Sequence, residues 1–210
     1  MISLFLDTSS SILRIYLVKN NEILFSEELI TKNNHSEFFL PLIQKSLEEN
    51  NIKPEDVDKI YTVIGPGSFT GTRIGVTVSK TFAYSINKNV IPVSSLKMQV
   101  LDFKDYDYYV SVIKDRKENI YYGIYNSDFD NINDECYSNI EELRNELDNL
   151  DGKILVISDE KIFDNYDYET PKINIFKIFE YYKDSEINSF LLKPNYLKKI
   201  EAESKLWQNT

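Results

Sequence analysis

The sequence contains one cysteine, Cys136, and one histidine, His35. A single cysteine excludes an intramolecular disulfide and any zinc site built from several thiolates. A single histidine excludes a metal centre of two or three imidazoles. No uncharged apolar run approaches the roughly 18 residues of a membrane span. Met1 to Asp7 lacks a basic leader and meets an acid by position 7, unlike a signal peptide. Positive charge is in short supply: 24 Lys and Arg stand against 34 Asp and Glu, for a net charge of -10. A chain so charged is poorly suited to holding nucleic acid by its own field. What is present is ample apolar material, 42% of 210 residues. A chain this long buries about 70% of the surface its unfolded form exposes, so it needs no disulfide or metal to fold. The expectation is a cytoplasmic protein with no membrane segment.

The residue pattern suggests two lobes, 1–101 and 102–210, divided at the charged stretch Asp102 to Asp107. Ile2 to Leu6 is a short apolar run with the character of a buried strand. Ile12 to Val18 and Ile23 to Ile30, joined by Lys19-Asn20-Asn21-Glu22, predict a hairpin. A helix follows from His35 towards Asn50, with Asn34 as N-cap and Glu37 at capping-box spacing; Pro41 should bend it. Lys59 to Ile64 is the next strand, then come a helix over Thr70 to Asn87 and a strand at Val90 to Val93. The first lobe therefore has the order βββαβαβ. The second promises strands at Tyr108 to Lys114, Ile120 to Tyr125 and Lys153 to Ile157, with helices at Ile140 to Leu150 and Asn174 to Lys183. The two lobes could be distant copies of each other.

Both long helices of the first lobe carry wide apolar arcs. At about 100° per residue, Phe38, Phe39, Leu40, Leu42, Ile43 and Leu47 cover roughly 200°, twice what packing on one sheet requires. On the second helix Ile74, Val78, Phe82 and Ile86 form one stripe, and Gly71, Gly75, Ser79 and Ala83 form a ladder of small residues beside it. One face of each helix is expected on its own sheet and one against a partner. Phe39, Leu40, Ile43 and Leu47, with Gly75, Ser79, Phe82 and Ala83, are the candidate partner surface.

The most specific stretch runs from Gly65 to Gly75: Gly65-Pro66-Gly67-Ser68-Phe69-Thr70-Gly71-Thr72-Arg73-Ile74-Gly75. It lies between a strand and a helix. Its glycines permit positive φ and close backbone approach. Ser68 or Thr70 can cap the helix, the N–H groups of the first turn make an anion site conceivable, and Arg73 adds positive charge. The stretch fits neither the phosphate loop ending in Gly-Lys-Ser/Thr nor the dinucleotide fingerprint. On these residues alone, a structural turn and a ligand loop are equally good readings.

This stretch resembles the signature of the TsaB family, formerly YeaZ, which serves tRNA threonylcarbamoyladenosine biosynthesis. Four further segments are similar to that family: Leu6 to Ser10; His35 to Gln44, with its unusual proline; Val93 to Leu96; and Pro194 to Lys198 with Ala202. Around Lys114-Asp115-Arg116 the family usually shows Asp-Ala-Arg, so Lys114 stands where the acid is expected. The resemblance implies an α/β protein of the actin/Hsp70/sugar-kinase-like (ribonuclease H-like) fold, with two mixed βββαβαβ-type sheets flanked by helices.

It also implies a non-catalytic activator that pairs with its paralogue TsaD, the threonylcarbamoyl transferase, and assembles with the ATPase TsaE; TsaC supplies the donor. tRNA would be reached only through that complex, and self-association would compete with heterodimer formation. The transferase carries a His-x-x-x-His metal motif. The matching positions here are His35 and Phe39, so no metal ligand and no catalytic residue is assigned. No cofactor is expected to bind tightly, although ATP or ADP has room where the chain meets its partner. The signature residues carried over are Gly65, Pro66, Gly67, Ser68, Phe69, Thr70, Gly71 and Arg73. A stand-alone kinase or ATPase of the same fold is the alternative, opposed by a second half whose only glycines are Gly123 and Gly152. A metallopeptidase is opposed by the histidine count. His35 is read as a packing or capping residue, Cys136 as a small apolar side chain, Asp7 as a turn cap, and Trp207 as either frayed or a partner anchor.

Overall fold

The computed structural model describes residues 1–31 and 34–198. Ala202 and Trp207 lie outside the described residues. Strands β1 (Ile2–Asp7), β2 (Ile12–Lys19) and β3 (Glu22–Ile30) form an antiparallel meander. The β2–β3 hairpin closes on Asn20 and Asn21, both at positive φ, 50° and 66°. Asparagine tolerates that conformation, and two such residues give the turn that matches strand twist. Helix α1 (His35–Glu48), β4 (Lys59–Val63), α2 (Phe69–Ser85) and β5 (Ile91–Val93) complete the first sheet, in the order β3-β2-β1-β4-β5. This is the βββαβαβ succession expected from the sequence.

The second sheet repeats the first. Strands β6 (Tyr108–Lys114), β7 (Asn119–Asn126) and β8 (Cys136–Asn139) form its meander. Helix α3 (Ile140–Leu147), β9 (Ile154–Ile157) and β10 (Asp167–Glu169) follow, and helix α4 (Ile175–Tyr182) closes the set. The order β10-β9-β6-β7-β8 is the first sheet's order with each strand replaced by its counterpart, and β9 and β10 run parallel to β6 as β4 and β5 do to β1. One connection differs: β9 reaches β10 through 158–166 with no helix.

The sequence expectation needs three corrections. Strands β8, Cys-Tyr-Ser-Asn, and β10, Asp-Tyr-Glu, were not anticipated. Both are short edge strands without apolar alternation. No capping box forms at α1: Asn34 makes no side-chain bond to the backbone, and its Nδ2 instead donates to Glu37 Oε2 at 3.3 Å. Pro41 lies inside a helix that continues past it, as expected. Finally, residues beyond 101 do not all stay with the second sheet. α4 places Ile175, Ile178 and Tyr182 against Phe5, Tyr61, Val63 and Ile91 on the face of the first sheet opposite α1 and α2. Residues 187–198 then run back along α2: Ile187 bridges to Val90, and Leu192 is buried in the α1–α2 core. A boundary at 101/102 divides the sheets but not the packing. Among the described residues no helix is long and apolar enough to cross a membrane.

Candidate functional site

The Gly65–Gly75 stretch connects β4 to α2 and packs on the turn after β1. Its glycines are explained by that contact. A Cβ on Gly67, whose φ is 151°, would lie 2.2 Å from the Ser9 carbonyl oxygen, and one on Gly71 would lie 2.1 Å from that of Thr8. A Cβ on Gly75 would meet Thr8 Oγ1 at 2.3 Å. Several of the loop's polar groups are engaged in the same packing, while Thr72 Oγ1 is buried with no partner among the described residues. Ser68 N donates to Ser9 O at 2.7 Å, Thr8 Oγ1 donates to Gly71 O at 2.7 Å, and Ser68 caps α2 by accepting from Gly71 N at 3.1 Å. Ser95 N donates to Gly65 O at 3.0 Å and Ser95 Oγ to Pro66 O. Of the two candidate caps, Ser68 is the one used, while Phe69, Thr70 and Arg73 face outward and are exposed.

Asp7 is fully buried at the end of β1 and is held from three sides. Ser9 N donates to Oδ1 at 2.8 Å, Ser9 Oγ donates to Oδ1 at 2.7 Å, and Arg14 Nη1 donates to Oδ2 at 2.9 Å. It caps the turn, as the sequence suggested. Arg14 was missed, although the hairpin register places it directly opposite Asp7.

His35 is 5% exposed and both ring nitrogens are engaged. Nε2 is 2.8 Å from Ser10 O, which can only accept, so Nε2 carries the proton and Nδ1, at 2.7 Å, accepts from Thr31 Oγ1. Phe39, one turn on, is fully buried. Among the described residues no three metal-ligating side chains converge. Cys136 lies beside the Asp134 carbonyl at 3.1 Å, and burial pushes its thiol up.

The candidate partner surface must be redrawn. Phe39, Ile43 and Leu47 are at most 4% exposed and pack on the first sheet; Gly75, Ser79 and Ala83 are likewise buried. These residues form the inner face of their helices, and only Leu40, exposed, and Phe82, half-buried, remain from the expected set. The outward flank carries Phe38 and Leu42 on α1 and Ile74, Val78 and Phe82 on α2. The arcs were as wide as expected, but the pattern could not say which half faced the sheet.

A polar hub joins the two sheets. Glu135 accepts from Ser94 Oγ at 2.5 Å, Tyr125 Oη at 2.8 Å and Asn195 Nδ2 at 3.3 Å. Beside it Lys97, 4% exposed, donates to the Phe129 carbonyl and lies 4.0 Å from the Tyr125 ring centre. Burial pushes the Lys97 ammonium down to about 8, against the pull of Glu135 and Asp130. The unfolded chain binds this proton more tightly than the folded one does between about pH 8 and the ordinary lysine value near 10, so Lys97 makes stability rise with pH across that window. Burial also raises the Tyr125 and Tyr182 phenols, which lowers stability only above about pH 10. Urea midpoints at pH 7.5 and 9.5 are expected to show a Lys97-dependent gain that Lys97→Met lacks; equal pH dependence in both proteins would refute the assignment.

Lys114 pairs outward with Glu160 at 2.5 Å. The acid in this region is Asp115, next in sequence, which accepts from Lys198 Nζ at 2.7 Å and Tyr137 Oη at 2.9 Å. Burial works to raise the Asp115 carboxyl, but these two hydrogen bonds outweigh it and hold the group below its ordinary range.

The family model described as TsaD, tRNA N6-adenosine threonylcarbamoyltransferase, matches residues 28–177. The chain is 36% identical over 126 residues to the Bacillus subtilis tRNA threonylcarbamoyladenosine biosynthesis protein TsaB, a match covering 60% of this chain and 55% of that protein. It is 30% identical over 128 residues to the TsaB protein of Buchnera aphidicola, covering 59% and 57%. The chain thus matches little more than half the length of these curated relatives. The solved structure of YeaZ from Pseudomonas aeruginosa superposes with a TM-score of 0.75 at 18% identity, covering 93% of this chain and 99% of that one, which shows a shared fold. A loop folded onto the first strand's turn, two matching mixed sheets and the family match over residues 28–177 lead to one assignment: the chain belongs to the family described as TsaD, tRNA N6-adenosine threonylcarbamoyltransferase.

Proposed function

We propose that this chain is a non-catalytic partner subunit in tRNA threonylcarbamoyladenosine biosynthesis, acting in the cytoplasm by pairing with a TsaD paralogue and assembling with TsaE. The observation that carries the reading is the state of α1. Its one imidazole is engaged on both nitrogens, and Phe39, where the transferase has its second histidine, lies in the core. A helix so arranged offers no metal site. The signature loop supports the same reading, because its glycines serve contact with Thr8 and Ser9, and we assign no nucleotide to it. The partner surface in this reading is the outward flank of α1 and α2, where Leu42, Ile74, Val78 and Phe82 remain half-buried. Helices that pair side by side on one sheet can complete a four-helix contact with a matching pair.

Two measurements test this. Threonylcarbamoyl transfer to tRNA is expected from TsaD, TsaE and this chain supplied together with donor, and not from this chain alone; transfer by the chain alone overturns the reading. Val78→Asp places a charge on the outward flank and is expected to weaken pairing with TsaD at least about thirtyfold while the monomer stays folded, since burying an unpaired charge at an interface costs 2 kcal/mol or more. Pairing of that variant at wild-type strength would place the interface elsewhere.

A further inference from the structure

We propose that Arg73 is a preorganised carboxylate receptor, a hot spot at which an acidic side chain of the partner protein seats on the guanidinium beside the rings of Phe69 and Tyr196. The inference rests on the partner-subunit reading above and names a chemistry within it.

The glycines and Ser68 of the signature are explained by packing, and Arg73 is not. Its guanidinium stacks on the Phe69 ring, 3.9 Å from the ring centre, and its Nε donates to Tyr196 Oη at 2.6 Å. Phe69 and Tyr196 contact each other at 5.3 Å between ring centres, so the three side chains form one cluster. The stacking and the Nε bond fix the plane of the guanidinium. Among the described residues no carboxylate forms an ion pair with it, and the residue is exposed. The cluster is open to solvent: Phe69 is 49% and Tyr196 45% exposed.

Composition adds to this. Only four of the chain's 24 basic residues are arginines: Arg14, Arg73, Arg116 and Arg144. Arg14 uses its fork on Asp7 and Glu28. Lysine, the usual cation of this chain, is a point charge and cannot present two parallel donors. An arginine held flat against an exposed aromatic ring is an arrangement that binds a carboxylate through two parallel hydrogen bonds. Arginine and tyrosine are enriched at binding hot spots, where apolar rims exclude water from the central contact. The rings favour a protein carboxylate over a free anion, because they supply apolar area that a small ion leaves wet.

The test measures affinity for the TsaD paralogue from the same cell by titration calorimetry at two salt concentrations. Removing one partner of a desolvated charge pair is expected to weaken binding by about thirtyfold or more for Arg73→Ala. Arg73→Lys is expected to recover less than half of that loss on a logarithmic scale, because it restores charge but not the fork. Tyr196→Phe keeps the ring, frees the guanidinium plane and is expected to fall between wild type and Arg73→Ala. Thermal melting of each variant separates loss of fold from loss of contact; Arg73→Lys keeps the charge and stem, and serves if Arg73→Ala unfolds. Wild type binding TsaD with Arg73→Ala and Arg73→Lys within threefold of it overturns this proposal and leaves the partner-subunit reading standing. Full rescue by lysine also overturns it, since a bare charge would then suffice. Wild type failing to bind TsaD overturns both.

Discussion

Alanine at Gly71 is expected to destabilise the chain by about 3 kcal/mol, and alanine at Gly67 by about 4–5 kcal/mol. In an ordinary helix glycine to alanine stabilises by about 1 kcal/mol, so the sign at Gly71 is reversed. The cause is steric. The new methyl group at either position would stand little more than 2 Å from a backbone carbonyl oxygen, which cannot swing aside as a side chain would. Gly67 adds strain, because an L side chain rarely adopts a φ of 151°. For a chain of this size each kcal/mol shifts the midpoint by about 2–4 °C, so both variants should melt about 6–20 °C early or fail to accumulate. Thr77→Ala, at an exposed position of the same helix, is the control and is expected to be neutral or slightly stabilising. If Gly71→Ala melts as the wild type does while pairing with TsaD is lost, the loop is a contact surface and the packing explanation fails.

That explanation also shows where sequence reading stops. The run of glycines announced close approach, and the structure supplies the neighbour: the Thr8-Ser9 turn, some sixty residues away in sequence. The first sheet was legible strand by strand, because Ile2–Asp7 and Ile12–Lys19 carry apolar runs bounded by turn residues and Asn20-Asn21 fits the hairpin turn. The second sheet was legible only at its centre. β8 and β10 are edge strands of four and three residues, and pairing with β7 and β9, rather than their own side chains, makes them strands. Helix α4 was expected at Asn174 to Lys183, but an expected helix does not say against what its face is buried; its destination is the first sheet. The same limit applied to the candidate partner residues. Two stripes shared each helix, and burial assigned Phe39, Ile43 and Ala83 to the core and left Val78 and Phe82 at the margin.

The second large effect is expected at Asp7. A buried acid at the end of a first strand can serve chemistry or structure, so this residue separates a chemical role from a structural one. In this chain its carboxylate is fully buried and its oxygens accept from Ser9 twice and from Arg14 once. Removing one member of such a pair leaves an uncompensated charge and costs about 3–5 kcal/mol. Asp7→Ala should fall near the lower end, about 3 kcal/mol, because Glu28 remains 3.5 Å from Arg14 Nε and the arginine side chain is 13% exposed. Asp7→Asn keeps an acceptor for Ser9 and loses the charge, so it should cost less. The double variant Asp7→Ala with Arg14→Met should be less damaged than the two single losses added together, with a coupling of about 1–3 kcal/mol, because the second change removes the charge that the first one stranded. Urea unfolding of the four proteins measures this cycle directly. A structural Asp7 predicts that tRNA modification in the reconstituted complex falls only as far as the folded population does. If Asp7→Ala melts as the wild type does while modification is abolished, the carboxylate acts on the chemistry and its pairing with Arg14 is incidental.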